Sequence, residues 1–146
     1  MIARVPGVNY DVLDELVGYA LRRAQLTMFD AFHEATRGLD ITPPRFTALL
    51  IIGANPGLSQ SVLGRVLGIA RSGAMMMTDW LEARGLVERR RRNGDARAWG
   101  LYLTSQGERF VERTKRRVLR SDHVKSKVLS AAERRQLLGL LEKLSG

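Results

Sequence analysis

The residues best suited to chemistry stand close together. From Arg84 to Arg97 the chain reads RGLVERRRRNGDAR. Guanidinium groups are permanently charged, fork-shaped donors, and their chemistry is the grip on phosphate and carboxylate oxygens. Asn93-Gly94 is a hairpin-turn signal, because both residues accept the positive backbone dihedrals of a two-residue turn. Arg89, Arg90, Arg91 and Arg92 would then alternate between the faces of a strand, so at most two of them face one partner. The others are expected at flanking phosphates or in solvent, where they add affinity and salt dependence but no direct sequence information. Arg97 comes just past the turn. An arginine there suits a narrow minor groove, where negative potential is concentrated. Asp95 is placed to orient its guanidinium through a charge-assisted bond. The plainer alternative is a surface arginine in a local ion pair, which is worth little.

Charge distribution supports a polyanion as partner. The 146 residues carry a formal net charge of +9. From Arg84 to Lys127 there are fourteen Lys or Arg against five Asp or Glu, and the rest of the chain carries ten of each. The whole excess therefore lies in the hairpin and the helix expected after it, as in a nucleic-acid-binding surface. A merely solvated basic surface would look the same by charge alone.

Other chemistries lack their residues. There is no cysteine, so disulfides, Cys-ligated zinc and thiol catalysis are excluded, and a reducing cytoplasm fits. No Gly-rich phosphate loop, nucleophile elbow or metal-protease motif is present. No enzyme, cofactor or catalytic residue is expected. His33 has Asp30 and Glu34 within one turn. An exposed polar helix face explains that spacing better than a metal site, since closed zinc sites want several His or Cys ligands. No apolar run reaches membrane-spanning length, and MIARVPGVNYD lacks the apolar core of a signal peptide.

The elements that must position the arginines are mainly helical. A first long helix is expected from about Asp11 to Arg37, with an apolar surface broader than one neighbour would need. Asp11, Asp14 and Glu15 in its first turns favour the helix dipole, and Gly38 ends it. Thr42-Pro43 starts a second helix and Asn55-Pro56-Gly57 stops it. Ser59 caps a third, with Leu58 stapled onto Leu63 and Val62, Leu63, Val66 and Leu67 buried. A fourth covers about Arg71 to Arg84, with Ala74, Met77, Thr78 and Leu81 inward and Gly85-Leu86 as its terminator. Strands follow, with Trp99, Leu101 and Leu103 alternating along the second. Thr104 or Ser105 caps a fifth helix, Ser105 with Glu108 fitting a capping box, and a polar break is expected around Ser121 to Ser126. Ser130 with Glu133 opens a last, leucine-striped helix too short to be stable alone.

This is the sequence of a winged helix-turn-helix: mainly α, with a small β-hairpin wing and a helical dimerisation region. TPPRFTALL, GLSQSVLGRVLGI, LEARGLVERR and GDARAWGLYLT, at these spacings, resemble the MarR family of bacterial transcription regulators. The resemblance implies a single domain over residues 1–146. Helices 11–38 and 105–146 would dimerise, and 42–103 would form the DNA-binding region. It implies a homodimer on a pseudo-palindromic double-stranded DNA operator, acting in the cytoplasm as a repressor released by a small ligand. The DNA-facing set is Ser59, Gln60, Arg71, Ser72, Gly73, Met75, Met76, Arg89, Arg91, Arg92, Asp95 and Arg97. Here the chain departs from the family's pattern. Relatives often have Asp where Ala70 stands, and hydrogen-bonding side chains where Gly73, Met75 and Met76 stand. Methionine can touch a thymine methyl but offers guanine no donor.

Tyr19, Arg22, Arg23, Phe29 and Phe46 are the aromatic and cationic residues near where the family places its ligand. Each is equally suited to a core or a dimer interface. Aromatic acids come first as ligand class and aryl-CoA thioesters second. The competing function is an architectural DNA-coating protein that reads no particular site and answers no small molecule.

One expectation can be tested at the hairpin. Arg97→Ala should weaken binding to the specific site by roughly 1–3 kcal/mol, as for loss of a groove contact. Arg92→Ala should weaken operator and scrambled DNA about equally. Affinities of both variants at one fixed salt concentration check this, and an unchanged operator affinity for Arg97→Ala would show the minor-groove assignment to be wrong.

Overall fold

The computed structural model describes residues 4–92 and 95–146, with 92 and 95–97 described by backbone alone. The Asn93-Gly94 turn and the side chains of Arg92, Asp95 and Arg97 thus lie outside the described residues. The helices are α1 (Val17–Ala35), α2 (Pro43–Ala54), α3 (Gln60–Val66), α4 (Arg71–Ala83), α5 (Ser105–Ser126) and α6 (Ala131–Ser145). Between α4 and α5 lie β1 (Val87–Arg92) and β2 (Asp95–Leu103), paired antiparallel. The chain divides into two compact units, Met1–Arg37 with Arg117–Gly146, and Gly38–Arg116.

The second unit is a winged helix built on local signals. Pro43 opens α2 behind an extended Thr42, although the Thr42 side chain makes no cap bond. The Ser59 hydroxyl accepts the Val62 N–H at 3.3 Å and so caps α3. At the end of α4, Gly85 adopts φ +64, and the N–H of buried Leu86 returns to the Leu81 carbonyl at 3.0 Å. That is the expected left-handed terminator with its apolar contact. Phe46, Leu49 and Ile52 of α2 share one core with Leu63, Ala74, Leu81, Val87, Leu101 and Val111. Val66 departs from expectation. It is 55% exposed, because Leu63 and Gly64 already fill the inner row of this seven-residue helix.

The first unit begins differently from expectation. Asp11–Glu15 is a separate 3-10 turn, the chain is extended at Leu16 (φ −86, ψ 117), and α1 starts only at Val17. The Asn9 side chain accepts the Asp11 N–H at 2.9 Å, and Asp11 itself has φ +47. This local turn competes with helix, so the three acids sit on it and not on α1. The expected break at Ser121 to Ser126 does not occur either. The helix continues through Ser126, and the Ser121 hydroxyl donates to the Ala31 carbonyl of α1 at 3.0 Å.

The start of α5 is capped by Thr104, whose hydroxyl accepts the Gly107 N–H at 3.0 Å. The Ser105–Glu108 box is therefore not formed, since Ser105 is already helical. The Ser130–Glu133 box is complete, with Ser130 N–H to Glu133 Oε2 at 2.7 Å and Glu133 N–H to Ser130 Oγ at 3.3 Å. The Ser130 hydroxyl, and then its backbone N–H, holds the Glu133 carboxyl below its ordinary range. Its contribution to stability is present above the ordinary carboxylate pKa and is lost as pH falls through the lowered value.

Little of the first unit is buried. Ala31, Phe32 and Thr36 are its buried residues, and α6 has none. Leu16, Val17, Leu119, Leu138, Leu140 and Leu144 are exposed apolar side chains.

One glycine fixes how α5 leaves the wing. A Cβ at Gly107 would stand 2.0 Å from the Leu86 carbonyl oxygen, a backbone atom that cannot swing aside. Gly107→Ala should cost about 1–3 kcal/mol or more by overpacking. Gly139→Ala, with open space at its Cβ, should be neutral or stabilising by up to ~1 kcal/mol. Denaturant midpoints of the two variants check the contrast.

Candidate nucleic-acid interface

The interface is assembled from α3, α4 and the hairpin. A Cβ at Gly64 would meet the Ala74 Cβ at 3.1 Å, so α3 and α4 pack backbone to backbone at this point. Ala74, Thr78 and Leu81 form the buried back of α4. The opposite face is open at Arg71, Ser72, Met75 and Met76, with Met76 70% exposed. Gly73 differs from expectation in being half-buried, turned toward Ile69. Ala70 is the N-cap and brings no side-chain acceptor, so the first-turn N–H groups are left to solvent or a phosphate oxygen.

The wing is joined to this helix pair by backbone. Gly57 N–H donates to the Leu101 carbonyl, and Leu101 N–H to the Leu58 carbonyl, both at 2.9 Å. Leu58, expected as a staple, is thus half of an antiparallel bridge to Leu101. The approach requires two glycines. A Cβ at Gly100 would lie 2.7 Å from the Gly57 Cα and carbonyl oxygen, and Gly57 itself has φ +85.

Arg89, Arg90 and Arg91 divide as strand alternation requires, but with one reassignment. Arg89 was expected at the duplex. Instead its guanidinium bonds to Glu82 Oε2, to Asp79 Oδ1 at 2.6 Å and to Gln60 Oε1 at 3.1 Å, and its N–H reaches Glu82 Oε1 at 3.3 Å. The cause is parity. Arg89 shares a strand face with Val87, and that face meets two acids one turn apart on α4. Gln60, also expected at DNA, is engaged in the same cluster. Arg90 stacks 4.1 Å over Tyr102 and pairs with Glu88 at 3.2 Å. Arg91 stacks 4.5 Å over Trp99, its partner across the ladder.

Trp99 escaped the sequence reading as a candidate contact. The sequence pattern marks it only as alternating with Leu101 and Leu103 along the strand. It is 53% exposed, on the face of the hairpin that carries Arg89 and Arg91. An indole beneath an arginine holds the guanidinium plane in place. The available signal was the register itself, which sets an aromatic opposite an arginine.

The expected ligand residues are distributed over both units. Tyr19 stacks obliquely on Tyr10 (6.3 Å between ring centres), with the Arg23 guanidinium 5.9 Å from its ring. Arg22 lines a groove of about 450 Å³ with Leu21, Gln25, Leu141 and Leu144. Phe29 is half-buried on the same helix. Phe46 belongs to the core of the winged unit and is 5% exposed. His33 meets the Phe32 ring edge-on, and Glu34 pairs with Arg37. No group of three or more His, Asp or Glu able to hold a metal occurs among the described residues.

Two helices crossing through Gly68 (φ +63), followed by a basic hairpin locked to the second helix, define a winged helix-turn-helix protein. The chain belongs to the MarR family, whose model matches residues 39–98. It is 36% identical over 129 residues to a protein assigned as a transcriptional regulator of the hcr operon in Thauera aromatica, covering 88% of this chain and 78% of that one. The transcriptional repressor CouR, solved bound to a 23-mer DNA duplex, superposes with a TM-score of 0.87 at 36% identity, covering 95% of this chain and 99% of the other. CouR bound to p-coumaroyl-CoA gives a TM-score of 0.85 at 35% identity, covering 94% and 97%. PcaV from Streptomyces coelicolor, in complex with its natural ligand, gives 0.80 at 27% identity, covering 94% and 96%. The relatives are regulators and not enzymes. No helix among the described residues is long and apolar enough to cross a membrane.

The Arg89 cluster generates a test that separates bracing from phosphate contact. Arg89→Ala should lower stability by about 1 kcal/mol, since its acidic partners are themselves partly solvated. Operator affinity should fall while the slope of log K against log salt stays unchanged. A direct phosphate contact would reduce that slope by about 1. Salt titrations of wild type and Arg89→Ala measure it.

Proposed function

We propose that this chain is a homodimeric transcriptional repressor that binds a pseudo-palindromic operator and leaves it when an aryl-CoA thioester binds. The observation that carries the reading is the open N-terminal face of α4 locked to a basic wing through Arg89 and the Leu58–Leu101 bridge. In this reading Arg71, Ser72, Met75 and Met76 enter the major groove. Arg97, oriented by Asp95, reaches the minor groove, and Arg91, Arg92 and Ser59 meet the backbone. Arg89, Gln60 and Gly73 position the others. Region 42–103 reads DNA, and helices 11–38 and 105–146 form the dimer. The exposed leucines of α6 and the apolar residues around Leu16 supply its interface.

The ligand class follows from similarity. CouR, alike over nearly the whole chain, is the relative solved with p-coumaroyl-CoA, so the thioester moves ahead of the free aromatic acid. Tyr19, Arg22, Arg23 and Phe29 are the residues assigned to it, the arginines suiting its phosphates. The protein catalyses nothing and acts in the cytoplasm.

One observation favours the architectural alternative. Met75 and Met76 project from the reading face without a hydrogen-bond donor.

Footprinting and thioester titration test the proposal together. A short protected palindrome is expected, with half-site centres about one turn, ~10 bp, apart. Continuous coverage would mean the architectural role. Micromolar p-coumaroyl-CoA should then lower operator affinity at least tenfold (about 1.4 kcal/mol), and free p-coumarate at the same concentration should not. Release by the acid alone, or by neither compound, would overturn the thioester assignment.

A further inference from the structure

From Arg71 to Asp79 the exposed residues of α4 are Arg71, Ser72, Met75, Met76 and Asp79. At three- and four-residue spacing, Ser72, Met75, Met76 and Asp79 form one strip along the helix. The side chains that can donate, Arg71 and Ser72, stand in the first turn. Asp79, a turn beyond the methionines, accepts from Arg89 Nη2 at 2.6 Å and is thereby held by the wing. The middle of the strip therefore presents two thioethers and no donor. Met75 is 50% and Met76 70% exposed, between a cation and a carboxylate. Apolar surface in that setting is covered only when a partner arrives.

We propose that Met75 and Met76 read the C5-methyl groups of pyrimidines in the major groove, so that the position of methyl groups sets the specificity of this turn. The proposal rests on α4 being the helix that enters the major groove. A thymine–adenine pair shows a methyl group on its groove edge, whereas a cytosine–guanine pair shows an amino donor and no methyl. A thioether cannot donate and is a weak acceptor, so the methyl is the feature it distinguishes. Methionine is unbranched and polarizable, and it can seat against a methyl without one fixed geometry.

Burying one methyl changes affinity about three- to fourfold. Two methionines in each of two subunits would multiply this to roughly a hundredfold between a site with all four methyl groups and one with none. A donor-poor face is in this way compatible with a regulator that selects its site. Cytosine methylated at C5 presents the same methyl group as thymine and should replace it at these positions.

The test starts from duplexes that the full chain selects from a random-sequence library. In the enriched sequence each thymine of one half-site is replaced in turn by deoxyuridine, which lacks only the methyl. At one or two positions affinity should fall about three- to fourfold. There, a 5-methylcytosine–guanine pair should bind within about twofold of thymine–adenine, and an unmethylated cytosine–guanine pair should bind as weakly as deoxyuridine–adenine. Met75→Ala and Met76→Ala should each abolish the thymine-to-deoxyuridine difference at one position, and Met76→Leu should keep it. Both methionines are exposed, so these variants leave the buried back of α4 intact. Deoxyuridine tolerated at every position would overturn the proposal. So would a difference that persists in both alanine variants, or methylated cytosine binding no better than unmethylated. Failure of the sequence-specific reading looks different: the library yields no enriched sequence, and the proposal falls with it. An enriched sequence that tolerates deoxyuridine overturns the methyl readout alone.

Discussion

The fixed angle between wing and recognition helix depends on a close backbone approach. Gly100 comes so near the Gly57 backbone that it tolerates no Cβ, Gly57 needs its freedom for φ +85, and two backbone hydrogen bonds clamp the loop after α2 to β2 beside them. Two strands alone make a marginal hairpin in water. The Leu58–Leu101 bridge turns the base of the wing into part of the core, where Leu101 and Val87 are buried with Leu63 and Leu81. Arg89, on β1, stands opposite Leu101 in the ladder, so its acid cluster acts at the same level of the hairpin as this bridge. Backbone bonds thus fix one strand of the hairpin, and charge fixes the other.

This division explains why a run of arginines is not a run of equivalent contacts. Arg89 faces acids, Arg90 lies on Tyr102 beside Glu88, and Arg91 lies on Trp99. Long side chains lose much rotamer freedom when they are immobilised on a partner. Stacking on an aromatic ring removes part of that freedom before any phosphate arrives. On the proposed reading the ring then contributes to affinity even where it touches nothing else. Net charge alone cannot distinguish these roles. It states how many cations exist, not how many are already occupied by neighbouring carboxylates.

What was legible in the sequence was what is decided locally. Thr42-Pro43, Ser59, Gly85-Leu86 and Ser130 with Glu133 mark element ends because a cap depends on residues within one turn of it. The Arg71, Ser72, Met75, Met76 face of α4 was legible from helical spacing. The break at Leu16 was not, since the helical pattern of Leu13, Leu16 and Val17 persists across it while an Asn9–Asp11 turn decides the backbone. Ser121 was read as part of a break because it is polar, yet its hydroxyl finds the Ala31 carbonyl ninety residues away in sequence. Arg89 shows the same limit at the site. Strand parity told that some arginines turn inward, but only the fold brings Asp79 and Glu82 to meet one of them.

The first unit shows what a fold leaves unfinished. A helix of fifteen residues such as α6 is marginal alone, and here it buries no residue. Fully burying one leucine is worth about 1.5–3 kcal/mol. Leu137, Leu138, Leu140 and Leu144 therefore hold enough unrealised stabilisation to decide whether this helix stays ordered. On the dimeric reading a second copy realises it, and the assembly then does more than stabilise. Reading two half-sites at once requires two recognition helices at one spacing, and only a stiff connection can hold that spacing. The winged unit has the core to be stiff on its own, whereas the helical unit obtains its stiffness from its partner. A ligand that loosens the helical unit need not touch a single DNA-contacting side chain to weaken binding, because it acts on the spacing between two sites that are each still intact.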